Sequence, residues 1–283
     1  MARPTGHGMT SMGVFTSAPR LRAAGAAEAV AAVEALGYDA LWVANVKDDL
    51  AVLDQALAAT QHITVGPAVL SIWSVPAQDL ARWWRSRRRI VLGLGVSHAP
   101  LVSGYAKPLE TMKRYLDELD AAGVPASARA LGANGPKMLA LAAARSSGAL
   151  TYLVTPDRTA AHRAELGASA RLVPEVKIVL DDDVDRARAT AREHLSVYLT
   201  LPNYLGNLRR MGFSDEDLQP PGSDRLIESL VVRGDEAAAR VRVQEHLDAG
   251  ADGVALHVVG EQPLPVDAWE RLAAALLPGA VTA

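Results

Sequence analysis

A chain of 283 residues, 49% hydrophobic and 22% charged, carries enough apolar material for one well-packed domain. Its net charge of -3 offers no basic surface to nucleic acid, and the lack of cysteine excludes disulfides, thiolate metal sites and cysteine nucleophiles. No apolar run approaches the ~20 residues of a membrane span, and the opening MARPTGHGMTS has no apolar signal core. A mobile stretch over 1–11, a single domain over 12–283 and a cytoplasmic location are therefore expected.

The elements alternate. A strand over 12–17 leads to an alanine-rich helix over 22–36, stopped by Gly37. A second strand over 38–44 ends at Asn45, and a helix over 48–60 follows with two acids at its positive end. The third strand, 63–72, contains Gly66-Pro67, which signals either a bulge or a simple bend. A short helix over 78–87 precedes IVLGLGVSHAP (90–100), the fourth strand. Helix 109–122, strand 129–132, a helix from Pro136, strand 149–154, helix 158–166 and strand 175–180 come next. A mostly helical stretch over 184–247 separates this seventh strand from an eighth, 253–259, before a last helix over 266–277. Eight strands, each followed by a helix, imply parallel right-handed crossovers. The expected fold is α/β: a (β/α)8 TIM barrel with a helical insertion between strands seven and eight, the alternative being a doubly wound open sheet.

The fourth strand is the most informative stretch. Ile90, Val91, Leu92 and Leu94 read as a strand buried on both faces. Gly93 and Gly95 suit a wall that admits something flat against its backbone. Polar groups, Ser97 and His98, arrive only at its C-terminal end, where barrels keep their chemistry. A plain core strand running into a turn is the competing reading. Ala133 to Met138 joins the fifth strand to a helix N-terminus, whose first amides and dipole favour an anion. Gly135 permits close approach and Lys137 adds charge, so Asn134, Gly135, Lys137 and Met138 are the candidate phosphate contacts. An ordinary loop whose amides take water is the other possibility.

GYDALWVAN (37–45), VGPAVLSIW (65–73), IVLGLGVSHAP (90–100), GPKMLALAAARSSGALTYLVTP (135–156), YLTLPNYLGNLRRMGF (198–213) and HLDAGADGVALHV (246–258) together resemble the bacterial-luciferase-like superfamily. The resemblance covers nearly the whole chain. It is closest to the actinobacterial and mycobacterial branch predicted to use the deazaflavin coenzyme F420. It implies a barrel whose flavin or deazaflavin lies across the C-terminal mouth. The ring would rest on a third-strand bulge, often with a non-prolyl cis peptide, within Ala68, Val69, Leu70 and Ser71.

By the same resemblance Asn45 matches a ring contact, and Val96 and Ser97 match a cofactor-contacting pair of the family's sugar-phosphate dehydrogenases. Ser71 and Ser97 are also ordinary strand-end caps. His98 matches a position where those dehydrogenases carry a catalytic carboxylate; an imidazole there can exchange a proton beside hydride transfer, or merely bind a loop carbonyl. The histidine they carry after strand two is Val46 here, so glucose-phosphate chemistry is not supported. His257 can face the mouth, whereas His194 and His246 read as structural.

The segment 80–89 departs from the family by being several residues short, and its arginines read as a solvated face. The expected activity is F420-dependent oxidoreduction of a small organic substrate. The alternatives are an FMN-dependent monooxygenase using reduced flavin and oxygen, and a barrel that has lost its cofactor. A homodimer is expected, with Trp83 and Trp84 adding apolar area; no membrane or nucleic-acid partner is.

Overall fold

The computed structural model describes residues 11–260 and 263–277. Of the stretch 1–11 expected to be mobile, residues 1–10 lie outside the described residues, while Ser11 opens the first strand. Eight parallel staves form the sheet. They are β1 (Ser11–Ser17), β2 (Ala40–Ala44), the pair β3 (Thr64–Pro67) and β4 (Leu70–Ser71), β5 (Leu92–Gly95), β6 (Arg129–Gly132), β7 (Gly148–Thr151), β8 (Arg171–Val179) and β10 (Gly253–Val258). The ladder runs β3-β2-β1-β10-β8-β7-β6-β5-β4, and a Val65–Ile90 bridge joins β3 to the residues leading into β5. The barrel is thus closed, which removes the open-sheet alternative.

The closing seam explains the glycines of the fourth stave. A Cβ on Gly93 would overlap the Pro67 carbonyl oxygen, and one on Gly95 would overlap Val69 Cγ2. The expectation that these glycines admit a foreign flat group is corrected: what lies against them is the chain's own third stave. That stave breaks at Ala68–Val69, a cis peptide, so β3 and β4 are separate strands rather than one run over 63–72.

Other differences have local causes. The second strand starts at Ala40, because Tyr38 is turned aside to donate its hydroxyl to the Trp269 carbonyl, 2.8 Å away. The sixth stave stops at Thr151, since Asn134 takes the Tyr152 backbone and Leu153 enters the left-handed region at φ 53°. The seventh begins at Arg171, ahead of Pro174. That proline pairs opposite Thr151, where the ladder to β7 ends and the ladder to β10 begins, so its missing donor costs little.

Helices α1 (Ala26–Ala35), α2 (Ala51–Ala58), α3 (Ala77–Arg85), α4 (Pro108–Ala121), α5 (Pro136–Arg145), α6 (Pro156–Leu166), α10 (Glu236–Asp248) and α11 (Val266–Leu276) surround the barrel. The main core lies between these helices and the outward faces of the strands, with Leu41, Leu53, Leu92, Leu116 and Leu272 fully buried. A smaller cluster of Phe15, Ala40, Trp42, Val173 and Ala255 fills the barrel itself. The insertion after β8 comprises α7 (Val184–Leu195), α8 (Pro202–Arg210), α9 (Asp224–Leu230) and a short strand β9 (Val231–Arg233). β9 pairs with the end of β8 and has no counterpart in the helical stretch expected over 184–247.

The arginines of segment 80–89 are not all a solvated face. Arg87 pairs with Asp54 and covers the Trp83 ring at 4.5 Å. Arg89 donates to the carbonyls of Leu57, Thr60 and Ile63 at 2.8–3.0 Å, holding the end of α2. Two guanidinium groups thereby tie this connection to α2.

Candidate functional site at the C-terminal mouth

The C-terminal ends of the staves converge on one rim. Six non-glycine residues among those described have left-handed backbone, and four lie just past these ends: Asn45 and Lys47 after β2, Ser97 after β5 and Leu153 after β7. Such conformations collect where structure around a site over-determines them.

One wall of the rim is the β3–β4 break. Val69 wedges its two methyl groups against Gly95 and against Gly132, where a Cβ would approach Cγ1 to 3.1 Å. Leu70 is buried beneath, while Ala68, Val69 and Ser71 keep partly exposed faces. Ser71 Oγ accepts from the Trp73 amide at 3.3 Å, and the Trp73 indole donates to the Val96 carbonyl at 2.8 Å. The tryptophan therefore pins the end of β4 to the residues after β5. Val96, Ser97 and His98 are half-buried there, and Asn45 is exposed across β3.

The second part is the loop from β6 to α5. Asn134 donates to the Tyr152 carbonyl at 2.9 Å and accepts from its amide at 3.3 Å. Its side chain holds the loop to β7, leaving backbone amides and exposed Lys137 to meet an anion. No side chain caps α5: Gly135 is the N-cap and Pro136 the first helical residue, with Met138 half-buried one turn on. Pro136 has no N–H and the Met138 amide donates to the Gly135 carbonyl at 3.1 Å, so the Gly135 and Lys137 amides are the donors left to suit a phosphate.

His98 is covered by the insertion. Its ring lies 5.0 Å from that of Tyr204, and the Asn203 amide reaches its Nδ1 at 3.4 Å. Either ring tautomer can pair with this side-chain amide, which both donates and accepts. Burial holds the His98 pKa below its ordinary value.

Beneath this rim is a polar group that the sequence reading missed. Glu175 and Lys177 on β8 are both buried and ion-paired, and His257 Nδ1 lies 2.5 Å from Glu175 Oε1. Burial would raise the Glu175 carboxyl; Lys177 and His257 outweigh it and hold the group ionised, well below the usual carboxylate range. Burial pulls Lys177 down, opposed by Glu175. The Lys177 ammonium rests 3.6 Å from the Tyr152 ring centroid, and the Tyr152 and Tyr198 hydroxyls are 2.7 Å apart. Burial, with Glu175 and against the Tyr152 hydrogen bond, pushes Tyr198 up to about 12, so it remains a phenol. His194 meets His257 edge-on at 5.0 Å and is pulled down to about 3 by burial and then Lys177. His246 does pack structurally, bonded to Thr159 at 2.9 Å. A signal for the missed pair was present. Glu175 and Lys177 are two apart in an apolar strand, so they share its inward face.

The residues fit a planar, phosphate-bearing cofactor: a partly exposed apolar wedge for a ring face, and uncapped amides beside a lysine for the phosphate. Among the described residues no group of three or more His, Asp or Glu is placed to hold a metal, and no helix is long and apolar enough to cross a membrane.

No protein-family model matches the chain, and no curated protein does. Solved structures do. The coenzyme F420-dependent tetrahydromethanopterin reductase from Methanopyrus kandleri is similar at TM-score 0.73 and 16% identity, over 96% of this chain and 99% of that one. An F420-dependent secondary alcohol dehydrogenase in complex with an F420-acetone adduct gives TM-score 0.72 and 15% identity, over 95% and 99%. The oxygenating constituent of 3,6-diketocamphane monooxygenase from Pseudomonas putida, in complex with FMN, gives 0.70 and 11%, over 96% and 98%. With coverage of 95% or more on both sides, the chain shares the (β/α)8-barrel fold of these proteins, and in this chain the barrel carries an insertion after its seventh stave.

Proposed function

We propose that the chain is an oxidoreductase that binds F420 across the barrel mouth, in preference to FMN, and exchanges a hydride with a small organic substrate. The observation that carries this reading is the Val69 wedge, locked against Gly95 and Gly132 and partly exposed toward the rim. Fold neighbours described as F420-dependent support the deazaflavin, and the neighbour described with FMN keeps the flavin alternative in view. When bound, the deazaflavin supplies or accepts the hydride.

In this reading Ala68, Val69 and Leu70 back the ring, and Asn45, Ser71, Val96 and Ser97 contact its edge or side chain. The amides of Asn134 and Gly135, with Lys137 and Met138, hold the phosphate. His98 exchanges the proton that accompanies reduction or oxidation of the substrate. Tyr204 and Asn203 fix its ring and exclude water. The substrate enters between the rim and α8.

An oxygen electrode separates the alternatives. With reduced FMN and the protein, uptake no faster than flavin autoxidation is expected. Protein-dependent uptake identifies a monooxygenase instead, and failure to bind either cofactor identifies a barrel that has lost its site.

A further inference from the structure

A cavity of about 410 Å³ opens outside the barrel mouth, between the start of α6, the end of α8, α9 and α10. Each of these four helices contributes one guanidinium group to it: Arg158, Arg210, Arg225 and Arg242. Asp157 is the one carboxylate in its lining, and Thr155, Met211 and Phe213 complete the floor. Glu165, Asp217 and Glu245 each compensate one of these charges, which leaves Arg210 as the guanidinium without a carboxylate partner among the described residues.

The individual arginines are not fully spent on the fold. Arg158 is only 10% exposed. Its Nη2 donates to the Asn134 carbonyl at 3.2 Å and its Nη1 is 3.5 Å from Glu165, but its buried Nε has no partner. Arg210 makes no ion pair among the described residues; its one hydrogen bond is a 3.5 Å contact to Asn207 Oδ1. Arg225 is held in place by Asp217 at 2.5 Å and by stacking on Phe213 at 4.9 Å. Arg242 is aimed by the Ser229 carbonyl at 2.9 Å and by Glu245 at 3.0 Å. Arg225 and Arg242 are therefore pre-positioned, and exposed Arg210 retains donors for a ligand.

We infer that this cavity binds the phosphate end of a phosphorylated small molecule. Guanidinium forks match phosphate oxygens in pairs, and the volume falls in the ~300–1,000 Å³ range of small-molecule sites. The inference goes beyond the proposed cofactor site. Its residues differ from those of the β6–α5 loop, which it touches only through Arg158 and the Asn134 carbonyl.

Inorganic pyrophosphate titrated calorimetrically into the protein, without cofactor and at fixed low ionic strength, tests it. A saturable site is expected that Arg210→Ala and Arg225→Ala each weaken about tenfold or more and that Lys137→Ala leaves unchanged; a second site lost in Lys137→Ala is the α5 N-terminus. Arg210 and Arg225 are exposed, and unchanged thermal midpoints confirm that their variants fold. Absence of saturable binding overturns the inference. So does binding that Lys137→Ala abolishes while the arginine variants leave it intact, because the anion then belongs to the α5 N-terminus. Repeating the titration with saturating F420 identifies the source of the phosphate. Retained binding assigns the cavity to a separate ligand; displacement, with F420 itself weakened in Arg210→Ala, assigns it to the cofactor.

Discussion

His98 joins a strand that reads cleanly in the sequence to an insertion that does not. Its position past Gly95 is plain from IVLGLGVSHAP, but its partners, Asn203 and Tyr204, come from a helix about a hundred residues away. In the proposed mechanism His98→Gln leaves cofactor affinity nearly unchanged and lowers kcat and kcat/KM together, by roughly 10²–10⁴-fold. Burial lowers the His98 pKa, so the ring is neutral at pH 7. Substrate oxidation then needs the neutral form: its rate rises with pH through an ionisation below ~6.5 and is flat above it. Substrate reduction needs the imidazolium, present below that pKa and lost as pH rises through it. Either inflection disappears in His98→Gln. Normal turnover by the variant would make His98 a loop-stabilising residue, and loss of cofactor would make it a binding one. Glu175, Lys177 and His257 show the opposite kind of legibility. Period-two spacing places the first two on one face, yet nothing local says that His257 on β10 meets them, because that pairing depends on closure of the barrel.

At the scale of elements, the β3–β4 break and β5 stand or fall together. Gly95→Ala puts a methyl group into the space that Val69 Cγ2 occupies. A small-to-large change of this kind costs about 1–3 kcal/mol, and cofactor binding should weaken with it, since the wedge is pushed toward the rim. The double variant Gly95→Ala with Val69→Ala should recover part of the lost cofactor affinity, because removal of the isopropyl group restores room. Chemical denaturation and cofactor titration of the three variants check both effects; additive losses would show that the two residues do not interact. The glycines were legible as positions needing a close approach, but not what approaches them, since Pro67 and Val69 come from a neighbouring stave. β9 was invisible for a related reason. Three residues between two helices carry no period of their own, and only the edge of β8 left unpaired by β7 makes them a strand.

For the whole molecule, alternation of strand and helix was enough to expect a barrel, because eight such units close with one handedness. The bounds that composition sets did not reach the arginine cavity, whose four residues are scattered from 158 to 242 and meet only through the packing of the insertion on α6 and α10. We extend the functional proposal to a homodimer built on the α3 face. The structure narrows the apolar area available: Trp83 is bonded to Asp54 and covered by Arg87, which leaves Trp84 and its half-buried neighbours. Light scattering should give about twice the chain mass of 29.9 kDa, and a monomer mass at working concentration would contradict the dimer.

The central claim is that the mouth between the Val69 wedge and the α5 N-terminus holds a deazaflavin. It is met most directly by equilibrium titration of one preparation of the protein with F420 and, separately, with FMN, each followed by its own optical signal. The account predicts saturable binding of both at one site, with F420 the tighter. Equal affinities, or tighter binding of FMN, would contradict it.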